Sequence, residues 1–252
     1  MRNQDVLQRT WLAPPELLML KNDEVHVWRI SFEMTTHQVR MLEQLLSADE
    51  LERAERFHYQ KDRVHFIVAR GLLRTILGRY VDRNPKDLQF CYGPNGKPAL
   101  TEETGGKFRF NVSHSHGLSL FTVSLNRDTG VDLEYIRSDL SVGDIAEQFL
   151  SPRELLAFKA VPEHDRTRAF FTAWTRKEAY LKAQGRGLSG DLKQLEVFPS
   201  LGYPSEFPEI NGSSQEESPW LLMDLAVLPE YAAALAVEGH DLQFKFWQWE
   251  YA

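Results

Sequence analysis

KFRFNV-SHSHG-LSLFTVSL-NRDTG-VDLEYI, residues Lys107 to Ile136, reads as three consecutive apolar strands, Lys107–Val112, Leu118–Leu125 and Val131–Ile136. Short glycine-containing turns separate them. Strands following one another without intervening helices exclude a βαβ alternation and point to antiparallel sheets. In the third strand Asp132 and Glu134 stand two apart, so both carboxylates point the same way.

Working outward, Val25–Ile30 alternates like a strand, and Leu88–Tyr92 is a further short one. Ser47-Ala48-Asp49-Glu50 is a capping-box start for a helix reaching Phe57. Apolar residues from Val64 to Tyr80 recur at helical spacing, with Arg63, Arg70 and Arg74 on the other side. Downstream, Ser151-Pro152-Arg153-Glu154 opens another helix. A long helix from Asp165 to Gln184 ends at Gly185, a C-cap glycine. Strand-like runs return at Leu195–Phe198, Trp220–Val227, Tyr231–Val237 and Gln243–Glu250, and Ser200–Pro219 reads as a loop. Helices and non-alternating strands in each half predict an α+β fold.

The 252 residues suffice for one large or two small domains with a substantial core. No apolar run is long enough to span a bilayer, and Met1–Asp5 lead into mixed sequence without a signal-peptide core. The lone Cys91 excludes an internal disulfide framework and suits a reducing, cytoplasmic compartment. A net charge of −7 argues against general nucleic-acid binding. From Arg53 to Lys86, however, nine basic residues face three acidic ones. That local excess suits a compact anionic ligand, or is a solvated helix face.

The chemistry-bearing residues are few. Asp132 and Glu134 alone would read equally as the wet face of an edge strand. Their apolar flanks suggest a packed central strand, where carboxylates are costly unless paired or metal-bound. In the long helix Trp174, Glu178 and Lys182 fall four apart on one stripe; alone, Glu178 and Lys182 would be a surface ion pair. Together, three carboxylates and a lysine can surround a hard divalent cation and a phosphate ester. Phe110-Asn111-Val112-Ser113-His114 ends a strand with hydroxyl and imidazole donors, which can hold phosphate or cap a turn. Tyr92–Pro98 is a turn in which Lys97 stands between Gly96 and Pro98.

These four segments resemble the 4′-phosphopantetheinyl transferases of the larger, two-lobed type typified by the surfactin-synthetase activator. The family patterns G-[IV]-D-x-E and W-[ST]-x-K-E-[AS]-x-x-K stand unbroken at Gly130–Glu134 and Trp174–Lys182. The N-x-S-H segment and the G-K-P turn precede them in the expected order. The resemblance implies two similar lobes, residues 1–126 and 127–252, each with an antiparallel sheet and helices, and a ligand cleft between them. It implies a monomer that moves the 4′-phosphopantetheine arm of coenzyme A to a serine of an acyl or peptidyl carrier protein, releasing 3′,5′-ADP. Asp132, Glu134 and Glu178 would bind Mg²⁺, Lys182 would contact the pyrophosphate, and Glu178 would serve as base. Ser113, His114 and Lys97 would hold the 3′-phosphoadenosine end, and Arg56, Lys61 and Arg63 would meet the 3′-phosphate. Where the family has a basic residue, this chain has His65.

Two other classes are open. A non-catalytic carrier-protein-binding homologue is disfavoured by the intact acidic triad. A Mg²⁺-dependent nuclease commonly needs a lysine two residues after its second carboxylate, and Ile136 stands there.

Overall fold

The computed structural model describes residues 10–187, 192–198, 209–210 and 219–251. In chain order the elements are β1 (Glu24–Ser31), α1 (Thr36–Glu43), α2 (Ala48–Glu55), α3 (Gln60–Val81), β2 (Phe90–Tyr92), β3 (Pro98–Leu100), α4 (Glu102–Gly105), β4 (Phe108–Ser115), β5 (Leu118–Leu125) and β6 (Thr129–Tyr135). They continue with α5 (Val142–Phe149), α6 (Pro152–Ala160), α7 (Glu163–Gln184), β7 (Val197–Phe198), β8 (Glu209–Ile210), β9 (Trp220–Asp224), β10 (Tyr231–Glu238) and β11 (Gln243–Gln248). A 3₁₀ turn, Pro85–Asp87, links α3 to β2. The fold is α+β, as expected.

Two sheets stack between two helical layers. The first has the order β11-β1-β5-β4 and the second β6-β10-β9. Alternation along β1 and β5 explains the stacking. Trp28, Ile30, Phe121 and Val123 pack with Leu72 and Ile76 of α3 on one face. Val25, Val27, Leu118 and Leu120 meet Val131, Leu133, Met223 and Leu235 of the second sheet on the other. A sheet apolar on both faces must be covered on both, which is why β5 is buried along almost its whole length. Beyond the second sheet, Ala234, Ala236 and Leu222 receive Ala179, Leu181 and Ala183 of α7. Small side chains on both surfaces let that helix lie close.

Four features depart from the sequence-based expectations. The pairing of β1 with β11 is parallel, so the chain's last strand returns to the first sheet and not every pair is antiparallel. Strand β6 is an edge of its sheet rather than central. Arg70 and Arg74 are buried, not solvated, because Glu50 of α2 accepts from both, at 2.5 and 2.7 Å. The helices α1, capped by a Thr35–Gln38 box, α4 and α5, and the short strand β3, were not anticipated. The expected loop Ser200–Pro219 lies largely outside the described residues; within it, Glu209–Ile210 pair with Val197–Phe198. Met1–Asp5 also lie outside them.

Candidate active site

Gly130 opens the site. An added Cβ there would stand 2.1 Å from the Ala179 carbonyl oxygen and 2.3 Å from the Ala183 nitrogen, so only glycine lets α7 seat on β6. Because side chains alternate along a strand, Asp132 and Glu134 share that α7-facing side. On α7, Glu178 and Lys182 each precede one of the two alanines in contact, which turns them toward the same carboxylates.

Lys182 Nζ donates to Asp132 Oδ1 at 2.6 Å and to Ser113 Oγ at 3.1 Å. Ser113 Oγ in turn donates to Asp132 Oδ1 at 3.0 Å and accepts from the Leu133 N–H at 3.2 Å. One donor and two acceptor positions are thereby filled, which is all a serine hydroxyl has. Ser115 repeats the arrangement one step along, donating to Glu134 Oε2 and accepting from the Tyr135 N–H, both at 3.1 Å. Asn111 Oδ1 accepts from the Val131 N–H at 2.9 Å. Alternate side chains of β4 therefore seal the free edge of β6, in place of a backbone ladder.

Charge accumulates here. Glu178 is 6% exposed. Burial first, and then the Asp132 charge, pushes its carboxyl up to about 7, against the opposing effect of Lys182. Glu134 is likewise raised by burial and by Asp132. Asp132 Oδ2 and Glu178 Oε1 are buried without a hydrogen-bond partner. Two orphaned carboxylate oxygens on one face are costly unless a cation completes them, and hard oxygen donors suit Mg²⁺. The donor set fits such an ion, although among the described residues no three His, Cys, Asp or Glu side chains are gathered closely enough to hold one as they stand. The expected Asp132–Glu134–Glu178 trio thus shares a face without closing into a cage. The Lys182 ammonium already occupies Asp132, and like charges oppose closer approach.

The remaining predicted residues are dispersed. His114 points away from Ser113, as alternation requires, with its ring 6.2 Å from that of Phe32. Burial of the ring, then the charges of Lys182 and His65, lowers its pKa although the residue keeps exposed surface. Lys97 Nζ donates to the Thr129 and Ala183 carbonyls, both at 3.0 Å. It ties the β2–β3 turn to the start of β6 and the end of α7, and burial lowers its pKa. Arg56 pairs with Glu52 at 2.5 Å and, with Arg53, Phe57 and Tyr92, lines a cavity of about 580 Å³. Arg63 pairs with Glu43 at 3.0 Å, and Lys61 is exposed beside the Tyr59 ring. A second cavity of about 580 Å³, beside Trp11, Arg168 and Leu225–Pro229, contains none of the predicted residues.

Other members of the helix motif are structural. Arg176 donates through Nε and Nη2 to both oxygens of Asp224 on β9, at 2.8 and 2.7 Å. Lys177 pairs with Glu154 at 2.6 Å and donates to the Phe149 and Leu192 carbonyls. Trp174 packs edge-on against Phe149 of α5 at 4.4 Å, in the core and not in the site. Sequence reasoning gave Arg176 and Lys177 no role, because their partners lie on distant elements, and set Trp174 on the stripe of Glu178 and Lys182, from which its packing against Phe149 removes it. The hydroxyls of the Ser113–Ser115 repeat were visible as alternating donors, but nothing local points to β6.

Among the described residues no helix is long and apolar enough to cross a membrane. Residues 128–236 match the family model described as 4′-phosphopantetheinyl transferase superfamily, and residues 30–124 match 4′-phosphopantetheinyl transferase, N-terminal. The chain is similar to the 4′-phosphopantetheinyl transferase HetI of Nostoc sp. (strain PCC 7120), at 38% identity over 247 residues, covering 97% of this chain and 100% of that one. It is also similar to the 4′-phosphopantetheinyl transferase Sfp of Bacillus subtilis (strain 168), at 27% identity over 152 residues, covering 60% and 66%. The surfactin-activator type is thus matched at lower identity and over less of the chain than the Nostoc relative. This chain belongs to the 4′-phosphopantetheinyl transferase family and is an enzyme of that class.

Proposed function

We propose that the enzyme transfers the 4′-phosphopantetheine arm of coenzyme A to a serine of an acyl or peptidyl carrier protein, with Asp132, Glu134 and Glu178 as the ligands of a Mg²⁺ ion. The observation that carries this reading is the buried, unpartnered oxygens of Asp132 on β6 and Glu178 on α7, two carboxylates close enough for the Asp132 charge to act on Glu178. When bound, the cation supplies charge neutralisation at the pyrophosphate oxygens.

The chain's own residues supply the rest. A serine hydroxyl is a poor nucleophile, and a carboxylate poised near neutrality is matched to taking its proton. Glu178, raised to about 7 in the metal-free chain by burial and the Asp132 charge, is the residue assigned that role. As the proton passes to Glu178, the serine oxygen attacks the phosphorus bearing pantetheine, the bond to the adenosine-side bridging oxygen breaks, and 3′,5′-ADP leaves. Lys182 is the cation beside that leaving oxygen, and moving from Asp132 to the pyrophosphate would bring it there. His114, Ser113 and Lys97, with Arg56, Lys61 and Arg63, receive the adenosine end and its 3′-phosphate. For this, Ser113 would turn its single hydrogen from Asp132 to the phosphate, and Lys97 would release a backbone carbonyl. We assign the coenzyme A cleft to the β4–β6 junction, between the expected lobes 1–126 and 127–252, of which the second lends β11 to the sheet of the first. A lone cysteine and two lobes in one chain support a cytoplasmic monomer.

The test is labelling of an apo carrier protein with fluorescent coenzyme A, with Mg²⁺ and with excess chelator. Transfer only with Mg²⁺, lost in Asp132→Ala and slowed on the order of 10²–10⁴-fold in Glu178→Gln, is expected. Full transfer in chelator, or a wild-type rate in Glu178→Gln, would overturn the assignment.

A further inference from the structure

We infer that the Ser115 hydroxyl is a positioning group that aims the Glu134 carboxylate at the cation, as Ser113 does for Asp132 before coenzyme A binds, and that β4 thereby controls metal affinity from outside the ligand set. The inference rests on the metal reading above.

The ground for it is a repeat. Ser113 donates to Asp132 and takes the N–H of the next residue, Leu133; Ser115 donates to Glu134 and takes the N–H of the next residue, Tyr135. In each case the backbone N–H occupies a lone pair of the hydroxyl, which leaves its single hydrogen pointing at the carboxylate. For Ser113 the direction is doubly fixed, because Lys182 takes the other lone pair. A hydroxyl held from behind by backbone is a rigid donor. Hydrogen bonds to ionised oxygens are also the stronger kind. Each carboxylate is thus pinned by one oxygen: Asp132 Oδ1 is engaged and Oδ2 is orphaned. Asn111 continues the same ladder, accepting from the Val131 N–H, but touches no carboxylate. Sealing an edge requires only acceptors for the N–H groups, as Asn111 demonstrates. Donation to a carboxylate is an added property, and it occurs at the two positions beside proposed ligands.

Groups that hydrogen-bond to metal ligands typically change metal affinity 10–100-fold when removed. The experiment is calorimetric binding of Mn²⁺ to the full-length, metal-free chain, with unfolding temperature measured alongside. Ser115→Ala should weaken Mn²⁺ binding by about 10-fold or more, raise the Mn²⁺ needed for half-maximal transfer equally, and leave turnover at saturating Mn²⁺ within about threefold of wild type. Ser115→Thr, which keeps the hydroxyl, should restore the affinity. Asn111→Ala, which breaks the ladder away from the carboxylates, should lower the unfolding temperature without moving Mn²⁺ affinity. Wild-type affinity in Ser115→Ala, or an equal loss in Asn111→Ala, overturns the inference and leaves the metal reading intact. If Asp132→Ala binds Mn²⁺ as wild type does, the metal reading fails, and this inference with it.

Discussion

Replacing Gly130 with alanine tests whether the close seating of α7 on β6 sets the geometry of the site. The new Cβ would lie 2.1 Å from the Ala179 oxygen, 2.3 Å from the Ala183 nitrogen and 2.9 Å from the Ala183 Cα. All three are helix backbone, so no rotamer change relieves the clash, and α7 must retreat by about 1 Å to reach van der Waals spacing. Overpacking of this kind costs about 1–3 kcal/mol. For a chain of this length that lowers the unfolding temperature by roughly 3–10 °C. Glu178 and Lys182 sit beside the two displaced residues, and a misplacement near 1 Å costs about 10²-fold in rate. The assay pairs thermal unfolding followed by circular dichroism with carrier-protein labelling well below the variant's transition. Loss of rate in a still-folded protein is expected. An unfolding temperature within about 1 °C of wild type together with an unchanged rate would refute the reasoning.

Three other outcomes follow from the same contacts. With Glu178 at about 7 against an ordinary 4.5, the folded chain holds a proton that the unfolded chain releases, so this group's contribution to stability is complete below about pH 4.5 and is lost as pH rises through about 7. Glu178→Gln should flatten that part of the unfolding-temperature profile of the metal-free protein, and an unchanged slope would contradict the placement of this charge. Arg176→Ala removes the bidentate partner of the buried Asp224 carboxylate and should cost roughly 3–5 kcal/mol in urea unfolding, a loss under 1 kcal/mol being incompatible with the bidentate pair. Lys97→Met leaves the Thr129 and Ala183 carbonyls without their donor and should destabilise by roughly 1–3 kcal/mol while raising the Michaelis constant for coenzyme A, and a variant as stable as wild type would contradict the clamp.

What could be read in advance follows the range of the forces involved. Local periodicity located α3 and α7, the capping boxes marked the starts of α2 and α6, and Gly185 ended α7 in the left-handed conformation, at φ +66°. The carboxylates and Lys182 were legible because strand and helix periods fix which side chains share a face. The burial of Arg70 and Arg74 was not, because only folding brings Glu50 between them, and until then they read as a solvated basic face. The same holds for β6. Val131 and Leu133 suggested a central strand, but their packing comes from the stacked sheet, while the edge is closed by side chains of β4. Helix α1 was missed although Thr35 and Gln38 spell a capping box, because its eight residues, largely polar, are too few for the apolar positions to repeat over several turns.

The return of β11 to β1 has a consequence for how the molecule is made. On the ribosome β1 emerges long before its neighbour on one side, Gln243–Gln248. Until that segment follows, this side of β1 presents open amide and carbonyl groups, a template for pairing with other chains. Joining such distant strands in parallel is slow, because the whole intervening chain must first be ordered. Cutting the chain at residue 126 would therefore not yield two self-sufficient pieces. The amino-terminal piece would lack a strand of its own sheet, and the carboxy-terminal piece would carry that strand with nothing to pair against. Co-expressed fragments could regain the native sheet only by finding each other, which makes nascent-chain aggregation, rather than the stability of the finished protein, the point where changes in Gln243–Gln248 would first be felt.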